Sequence, residues 1–285
     1  MKIGLLYTNK GEEDEISRIS TNYIEKQLLN RGYEIKKISF SPYKKLDLIK
    51  SDVIFNLVYG RYGEDGLISL ALDQMKVPYI GPSFNNCLLT HNKLITKQVL
   101  TNSGIPTPKL SVTPPCIYKP IAGGSSGDVI FVRESNRERK MNKYTERNLI
   151  SEEYIDGKEL CITAIKKNKK LLCLPIAEIV KKGPVLNSKE KYRSKGHYLL
   201  VPAKISTDTE KLINTICQKC YSLFDCKLFI KIDIILGKDQ VPYVIEIDGI
   251  PGFGPHSIIT TCARSIGIEA GTLFENFIHG ATKSI

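Results

Sequence analysis

The sequence predicts an α/β protein of several packed lobes, and three observations lead to this fold class. Apolar strands alternate with amphipathic helices over residues 1 to about 85, a rhythm typical of a parallel sheet with helices on its faces. Strands dominate from about residue 158 onward. The chain has 285 residues, which is enough for two or three lobes around a large core.

The first predicted domain covers residues 1–85. Its elements follow from the spacing of apolar residues, which recur every three or four positions in helices and form short continuous runs in buried strands. We expect strands at Lys2–Tyr7, Glu34–Ser39, Val53–Leu57 and Pro78–Ile80, and helices at Ile16–Arg31 and Leu67–Gln74.

The second predicted domain covers residues 86–157 and begins with a helix at Asn92–Ser103. The segment Gly104–Pro108 ends that helix, because glycine favours the helix C-terminus and proline cannot continue a helix. A glycine- and serine-rich loop and then a polar helix separate the strands that follow. Those strands are expected at Cys116–Lys119, Val129–Val132 and Leu149–Tyr154.

The third predicted domain covers residues 158–285 and contains the remaining strands. We find no internal repeat and no low-complexity linker in the sequence. The clearest strands are Glu159–Ile165, Leu171–Ile179, Leu228–Leu236 and Tyr243–Ile247, and the expected helices are Thr207–Phe224, Ile258–Ile266 and Gly271–His279.

Composition and charge argue against membrane and nucleic-acid partners. No apolar run approaches the roughly 20 residues of a membrane-spanning helix. The formal net charge is +11, but the lysines are spread along the chain and no aromatic residues are interleaved with them for base stacking. The positive field is instead expected to help recruit an anionic nucleotide.

The cysteines and the N-terminus indicate a cytoplasmic protein. The eight cysteines lie mostly in apolar stretches, as expected for reduced thiols in a core. The apolar run at the N-terminus lacks a small-residue cleavage site, so it is interpreted as a strand and not as an export signal. Cys217 and Cys220 have zinc-knuckle spacing, but no second ligand pair follows, so a zinc site is not expected.

A phosphate-binding loop is predicted at residues 123–127, which read Gly-Gly-Ser-Ser-Gly. Glycines let backbone N–H groups approach a phosphate, and serine hydroxyls add donors. Lys119 precedes the loop at the end of a strand, and Lys93 is a second candidate cation. The alternatives are a simple turn for the loop and an exposed helix lysine for Lys93.

The segment Glu152–Glu159 is a candidate adenine and ribose hinge. It ends one strand and begins another, so its backbone can face an adenine edge while Glu159 accepts hydrogen bonds from ribose hydroxyls. Taken alone, the same segment is also an ordinary hairpin.

Three carboxylates form the candidate metal site. Asp233 lies in one apolar strand, and Glu246 and Asp248 lie two apart in another, which places the latter pair on one face. Carboxylates flanked by isoleucine and valine should not be buried without a counter-charge, and hard oxygen ligands suit Mg²⁺. The alternative is the solvent-facing side of an antiparallel strand.

Taken in order, these motifs resemble those of the ATP-grasp superfamily, and in particular those of the D-alanine–D-alanine ligases. Gly60–Gly66 resembles that family's GxxGEDG loop, and Val77–Ser83 its IPYTGS segment. The lysines, the serine loop, the hinge and the carboxylates fall on the family's ATP and metal positions. The resemblance implies an ATP-grasp fold with an N-terminal Rossmann-like domain on the substrate side.

The resemblance also implies an activity and a set of site residues. ATP would phosphorylate one amino-acid carboxylate, and the amine of a second amino acid would attack the acyl phosphate, with two Mg²⁺ ions (or Mn²⁺) as cofactors. A homodimer is implied by the same analogy. The implied catalytic residues are Glu13, Ser125, Tyr192, Lys231 and Gly252; the ATP-binding residues are Lys93, Lys119, Gly124, Ser126, Glu152, Glu153, Tyr154, Ile155, Glu159 and Lys191; the metal ligands are Asp233, Glu246 and Asp248; and the substrate-binding residues are Tyr59, Ser257 and Ile258.

Several positions depart from the family pattern and bear on the substrate. Tyr59 stands where the family usually has histidine, Lys231 where it has arginine, and Asp248 where it has asparagine. Gly123 replaces a common glutamate, and Asp128 replaces a small or apolar residue. D-Alanine as both substrates is the leading hypothesis; the alternatives are ligation of other amino acids and nucleotide binding without catalysis.

Overall fold

The computed structural model describes residues 1–8, 13–43, 51–123, 129–136, 148–181, 183 and 197–282. Within those ranges the strands form three sheets, one in each of the three predicted stretches of sequence. The α/β class is therefore confirmed, while the boundaries between domains stay a prediction.

The first sheet is parallel and has the strand order β2-β1-β3-β4. Its central strand β3 is buried at every residue, because a parallel sheet is covered by helices on both faces. The strands are β1 (Lys2–Tyr7), β2 (Glu34–Ser39), β3 (Val53–Leu57) and β4 (Tyr79–Ile80), and the helices are α1 (Asp14–Leu29), α2 (Leu67–Gln74) and α3 (Phe84–Thr90).

The second sheet follows helix α4 (Lys93–Asn102) and has the order β6-β5-β7. Asn92 caps α4, since its side chain accepts hydrogen bonds from the backbone N–H groups of Leu94 and Ile95. The strands are antiparallel and comprise β5 (Cys116–Pro120), β6 (Ile130–Val132) and β7 (Leu149–Glu153), with a 3₁₀ turn at Glu134–Asn136.

The third sheet is antiparallel and has the order β11-β10-β8-β12-β13, with β9 paired to β8. Helix α5 (Thr207–Leu223) packs on β8 and β12, and together they enclose a second apolar core. The strands are β8 (Gly157–Lys167), β9 (Lys170–Cys173), β10 (Ala177–Lys181), β11 (His197–Leu200), β12 (Phe229–Gly237) and β13 (Pro242–Asp248).

Three features differ from the sequence prediction. The single strand expected at Leu171–Ile179 is wrong: it divides into β9 and β10, and Pro175 in the break has no N–H for a strand ladder. Helix α3 and strand β11 were not predicted. The serine N-cap of α3 was a recognisable signal, because Ser83 accepts a hydrogen bond from the Asn86 N–H.

The last two helices, α6 (Ile258–Ser265) and α7 (Ala270–Thr282), return the chain to the first sheet. Helix α7 packs against α1 and β4. Phe253, between β13 and α6, is fully buried, and its ring lies 5.2 Å from Phe55 and 5.3 Å from Phe229. Edge-to-face pairs of this kind stabilise by about 0.5–1.5 kcal/mol each beyond area burial, so this cluster fixes the loop that carries the site.

Candidate active site

A cavity of about 580 Å³ opens where the first and third sheets meet. Its volume lies within the range of small-molecule sites. The lining comes from helix α1, the chain after β3, the start of α4, strands β12 and β13 and the loop that follows β13. The lining residues used below are Glu13, Tyr59, Glu64, Lys93, Gly123, Lys231, Glu246, Asp248, Gly252, Ser257 and Ile258.

The three predicted metal carboxylates project from adjacent strands onto one face. Asp233 on β12 lies directly opposite Glu246 on β13, and Lys231 lies opposite Asp248. Side chains of directly opposed residues share a face of the sheet, and residues two apart on one strand do so as well. The strand register therefore places all three carboxylates on one face of the sheet.

Lys231 bridges two of these carboxylates. Its Nζ lies 2.7 Å from Asp233 Oδ2 and 2.5 Å from Asp248 Oδ2. Burial opposes the charged ammonium, but Asp233 and Asp248 outweigh it and raise the pKa of Lys231. Lys231, to which the family resemblance assigns a catalytic role, is thus held in its charged form within the acidic face.

Two carboxyls of the cavity lining, Glu64 and Asp248, ionise less readily than free carboxyls. Burial, followed by the nearby charges of Glu13 and Asp248, raises the pKa of Glu64 to about 8. Burial also raises the pKa of Asp248 to about 6, against the opposing effect of Lys231. A cation bound beside them would lower both pKa values, because a nearby opposite charge favours the ionised form of a carboxyl.

The donor set fits a divalent cation that is shared with a phosphate. In the part of the chain that the structure describes, no three metal-binding side chains stand close enough to hold an ion by themselves. Mg²⁺ commonly uses one or two protein carboxylates together with substrate phosphates and water. Asp233, Glu246 and Asp248 suit that arrangement, in which the nucleotide completes the shell.

The two predicted ATP lysines contact different groups. Lys93 Nζ is 2.5 Å from the Gly123 carbonyl and 3.5 Å from Glu246 Oε1. It therefore joins the start of the glycine-rich loop to a candidate metal ligand. Lys119 Nζ is 2.8 Å from Glu152 Oε2 and 3.2 Å from the Ile245 carbonyl.

Lys97 is a third lysine of this region, and the sequence analysis missed it. Its Nζ lies 2.9 Å from Glu152 Oε1 and 3.0 Å from Thr107 Oγ1, and it also donates to the Pro108 carbonyl. Only 9% of the residue is exposed, and burial lowers the pKa of its ammonium although Glu152 opposes this. Its position four residues after Lys93 on one helix was the available signal, because such residues share a face.

Several of the predicted hinge residues contact other side chains or backbone groups of the protein. Glu153 accepts a hydrogen bond of 2.8 Å from the Lys109 N–H, and the ring of Tyr154 lies 4.6 Å from that of Phe131. Glu159 pairs with Lys181 across the sheet. Ile155, which follows Tyr154 in the sequence, is partly buried. The buried Glu152 carboxylate, held by two lysines, is the fixed point of this segment.

The remaining predicted residues divide into two groups. Glu13, at the N-terminus of α1, and Tyr59, after β3, line the cavity together with Gly252, Ser257 and Ile258. Ser257 occupies the N-cap position of α6, and its hydroxyl donates to the Gly254 carbonyl over 2.8 Å. Five predicted residues lie outside the described ranges: Gly124, Ser125, Ser126, Lys191 and Tyr192.

Comparison with known proteins decides the family. The family model described as D-ala D-ala ligase C-terminus matches residues 95–279, which is more than half of the chain. The chain therefore belongs to the D-alanine–D-alanine ligase family. The D-alanine–D-alanine ligase of Fervidobacterium nodosum is 28% identical, over 100% of both chains.

Solved structures agree with that membership and with the ATP-grasp fold. The D-alanine–D-alanine ligase of Bacillus anthracis has a TM-score of 0.84 at 25% identity, covering 100% of this chain and 98% of that one. The same enzyme complexed with ATP has a TM-score of 0.82 at 23% identity with the same coverage. As a D-alanine–D-alanine ligase family member, the protein is an ATP-dependent ligase.

No helix among the described residues is both long and apolar enough to cross a membrane.

Lys97 offers a test of the nucleotide region in this ligase. Lys97→Met should lower the free energy of unfolding by roughly 1–3 kcal/mol, because the partly buried Thr107 and the buried Pro108 and Glu152 groups lose a charged hydrogen-bond donor. The KM for ATP should rise about tenfold, since Glu152 then keeps Lys119 as its sole counter-charge among the described residues. Urea unfolding and ATP titrations measure the two effects.

A matched control is Lys211→Met, since the Lys211 side chain is 74% exposed and its nearest carboxylate oxygen, on Asp208, is 4.0 Å away. Its unfolding free energy and its KM for ATP should match those of the wild type. If Lys97→Met and Lys211→Met have the same KM for ATP and the same unfolding free energy, Lys97 has no role in nucleotide binding.

Proposed function

We propose that this protein joins two D-alanine molecules, with ATP cleaved to ADP and phosphate. One observation carries the proposal: a phosphate-suited lysine (Lys93), two carboxylates of the acidic face (Glu246 and Asp248) and the candidate ammonium-binding Glu13 all border one cavity. Family membership supplies the reaction type, and the named relatives act on D-alanine.

In the first step, a carboxylate oxygen of the first D-alanine attacks the γ-phosphorus, and the bond to the ADP oxygen breaks. Lys93 and Lys119 would neutralise charge on the transferring phosphoryl group, as this type of transfer depends mainly on positioning and electrostatics. Asp233, Glu246 and Asp248 would hold two Mg²⁺ ions with the phosphates, and those ions would add further charge neutralisation. Ser126 of the predicted phosphate loop would add a donor.

In the second step, the amine of the second D-alanine attacks the acyl carbon, and phosphate leaves from the tetrahedral intermediate. The amine must lose a proton before or during the attack. Lys231 and the Gly252 N–H would stabilise the oxyanion, since donors aimed at developing charge lower the barrier most. The Lys231 ammonium already lies beside Asp248 in the cavity wall, close to where such charge would form.

The two substrate ends would be recognised by different elements of the cavity lining. Glu13 would bind the ammonium of the first amino acid, with Ser125 and Tyr192 linked to it. The N-terminus of α6, with Ser257 and Ile258, would receive the carboxylate of the second, because helix N-termini favour anions. Lys191 would lie near the γ-phosphate.

A second candidate function is ligation of a different amino-acid pair. Tyr59 favours it, because a tyrosine ring in place of the family's histidine changes the wall of the cavity next to the first substrate. Nucleotide binding without catalysis is the third candidate, and the presence of Lys93, Lys119, Asp233 and Glu246 argues against it.

A phosphate-release screen separates the three candidates. Purified protein is incubated with ATP, Mg²⁺ and single or paired D- and L-amino acids, and free phosphate and dipeptide are measured. Release with D-alanine alone is the expected result. Release only with another pair would replace D-alanine as the substrate, and no release with any pair would favour the third candidate.

We further infer a cytoplasmic location and a homodimer. The eight cysteines are all free thiols, as expected in a reducing compartment, and the substrate ATP is found there. The family analogy supports the dimer, and light scattering on the purified protein would measure it.

A further inference from the structure

Tyr59 connects the first sheet to the loop after β13. Its hydroxyl donates to the Pro251 carbonyl over 3.1 Å, and its oxygen also lies 3.1 Å from Ser20 Oγ. Ser20 Oγ in turn accepts a hydrogen bond of 3.1 Å from the Phe253 N–H. Tyr59 and Ser20 are buried, at 5% and 0% exposure, so water competes little for these bonds.

The bonds hold the loop on both sides of Gly252. Tyr59 binds the carbonyl that precedes Gly252, and Ser20 on α1 binds the N–H that follows it. The same helix limits the loop from a third direction, because a Cβ added to Gly252 would meet Ile16 Cδ1 at 2.9 Å. Gly252 therefore packs closely against helix α1.

The Pro251 carbonyl and the Gly252 N–H belong to the same peptide group. That peptide bond is trans, since the cis bonds of the described chain are at Pro114–Pro115 and Val201–Pro202. In a trans peptide the carbonyl and the N–H point in opposite directions. Pulling the carbonyl towards the buried Tyr59 therefore turns the Gly252 N–H away from it, and Gly252 borders the cavity.

The Gly252 N–H is also available for a ligand. It has no hydrogen-bond acceptor among the described residues, although Pro251 is buried and Gly252 is only partly so. A hydrogen bond to the carbonyl of a peptide polarises that group and strengthens its N–H as a donor. Tyr59 would thus both aim this donor and strengthen it.

We propose that Tyr59 is a positioning residue that orients the Pro251–Gly252 peptide for oxyanion stabilisation, and that it does not read the substrate. The inference rests on the proposed function, in which the Gly252 N–H is an oxyanion donor. The Tyr59 hydroxyl contacts protein groups on two sides. The replacement of the family's usual histidine by Tyr59 then affects how the loop after β13 is held.

The test compares Tyr59→Phe with the wild type, since this change removes the hydroxyl and keeps the ring. The kcat for D-alanine ligation should fall about tenfold, the effect of one neutral hydrogen bond. The KM values for ATP and for D-alanine should stay within about twofold of the wild type. Inhibition by a phosphinate analogue of D-alanyl-D-alanine, whose tetrahedral phosphorus carries the negative oxygen, should weaken by the same factor as kcat.

Tyr43→Phe is the matched control, because Tyr43 is 94% exposed; its kinetics should be those of the wild type. Ser20→Ala removes the hydroxyl that accepts from the Phe253 N–H of the same loop, and it should also lower kcat. A raised KM for D-alanine with unchanged kcat in Tyr59→Phe would mean that Tyr59 reads the substrate, and would overturn the proposal. So would unchanged inhibition by the phosphinate.

A failure of the proposed function can be distinguished from a failure of the proposed role of Tyr59. If the wild type releases no phosphate with D-alanine, the proposed function fails whatever Tyr59 does. If the wild type is active and both Tyr59→Phe and Ser20→Ala match it, only the role of Tyr59 fails. Thermal unfolding of both variants checks that a loss of rate does not come from loss of the fold.

Discussion

Glu246→Gln is expected to lower kcat by roughly 10²–10³-fold, the range found when a preorganised electrostatic contact is removed from an active site. The change keeps the size of the side chain and removes its charge. Glu246 lies opposite Asp233 and 3.5 Å from Lys93, so it contributes both to the acidic face and to the placement of a phosphate-binding lysine. Steady-state phosphate release measures the effect.

The same variant should require more Mg²⁺ for its half-maximal rate, because a neutral amide is a weaker ligand for a hard cation. Glu210→Gln is the control: Glu210 is exposed on helix α5 and does not border the cavity. A Glu246→Gln enzyme with nearly normal turnover and an unchanged Mg²⁺ requirement would refute the assignment of the carboxylate face as the metal site.

Lys231→Met is expected to have the second large effect, and it should act on both rate and stability. The kcat should fall by about 10²–10³-fold through loss of an oxyanion donor. The free energy of unfolding without metal should fall by about 3 kcal/mol, the lower end of the range for breaking a buried ion pair, because Asp248 stays 33% exposed. Denaturant titrations and turnover assays give the two values.

Mg²⁺ should distinguish this variant further. Without the ammonium between Asp233 and Asp248, a divalent cation can take its place, so Mg²⁺ should raise the melting temperature of Lys231→Met more than that of the wild type. Lys231→Arg should retain most of the activity, since it keeps the charge and restores the usual residue of the family. An inactive Lys231→Arg with an active Lys231→Met would contradict the proposed role.

Most of the fold could be predicted from the sequence, because strands and helices with one buried face leave a periodic pattern. Strands β1, β2 and β3 and helix α2 occur where they were predicted. The division at Pro175 was overlooked because the apolar run continues through the break. Strand β11 carries little signal of its own, as it lies at the edge of its sheet.

Part of the site was also predictable, since residues two apart on a strand must share a face. Glu246 and Asp248 could be paired in this way, and Asp233 joined them as a carboxylate within a second apolar strand. The partners of buried charges could not be predicted, because they depend on contacts between distant segments. The bonds of Lys97 to Glu152 and of Tyr59 to Pro251 join residues 55 and 192 positions apart, and no local pattern records them.

The packing of the last helix has a consequence for how the chain folds during synthesis. Helix α7, at the end of the sequence, supplies Leu273, Phe274 and Phe277 to the same core as Ile3 and Phe55 of the first sheet. The ribosome makes that sheet before it makes the covering helix. The strands of the first sheet must therefore wait, with an apolar face uncovered, until residues 270–282 have emerged. A chain truncated before residue 270 should expose that face and aggregate, although it would retain every cavity-lining residue.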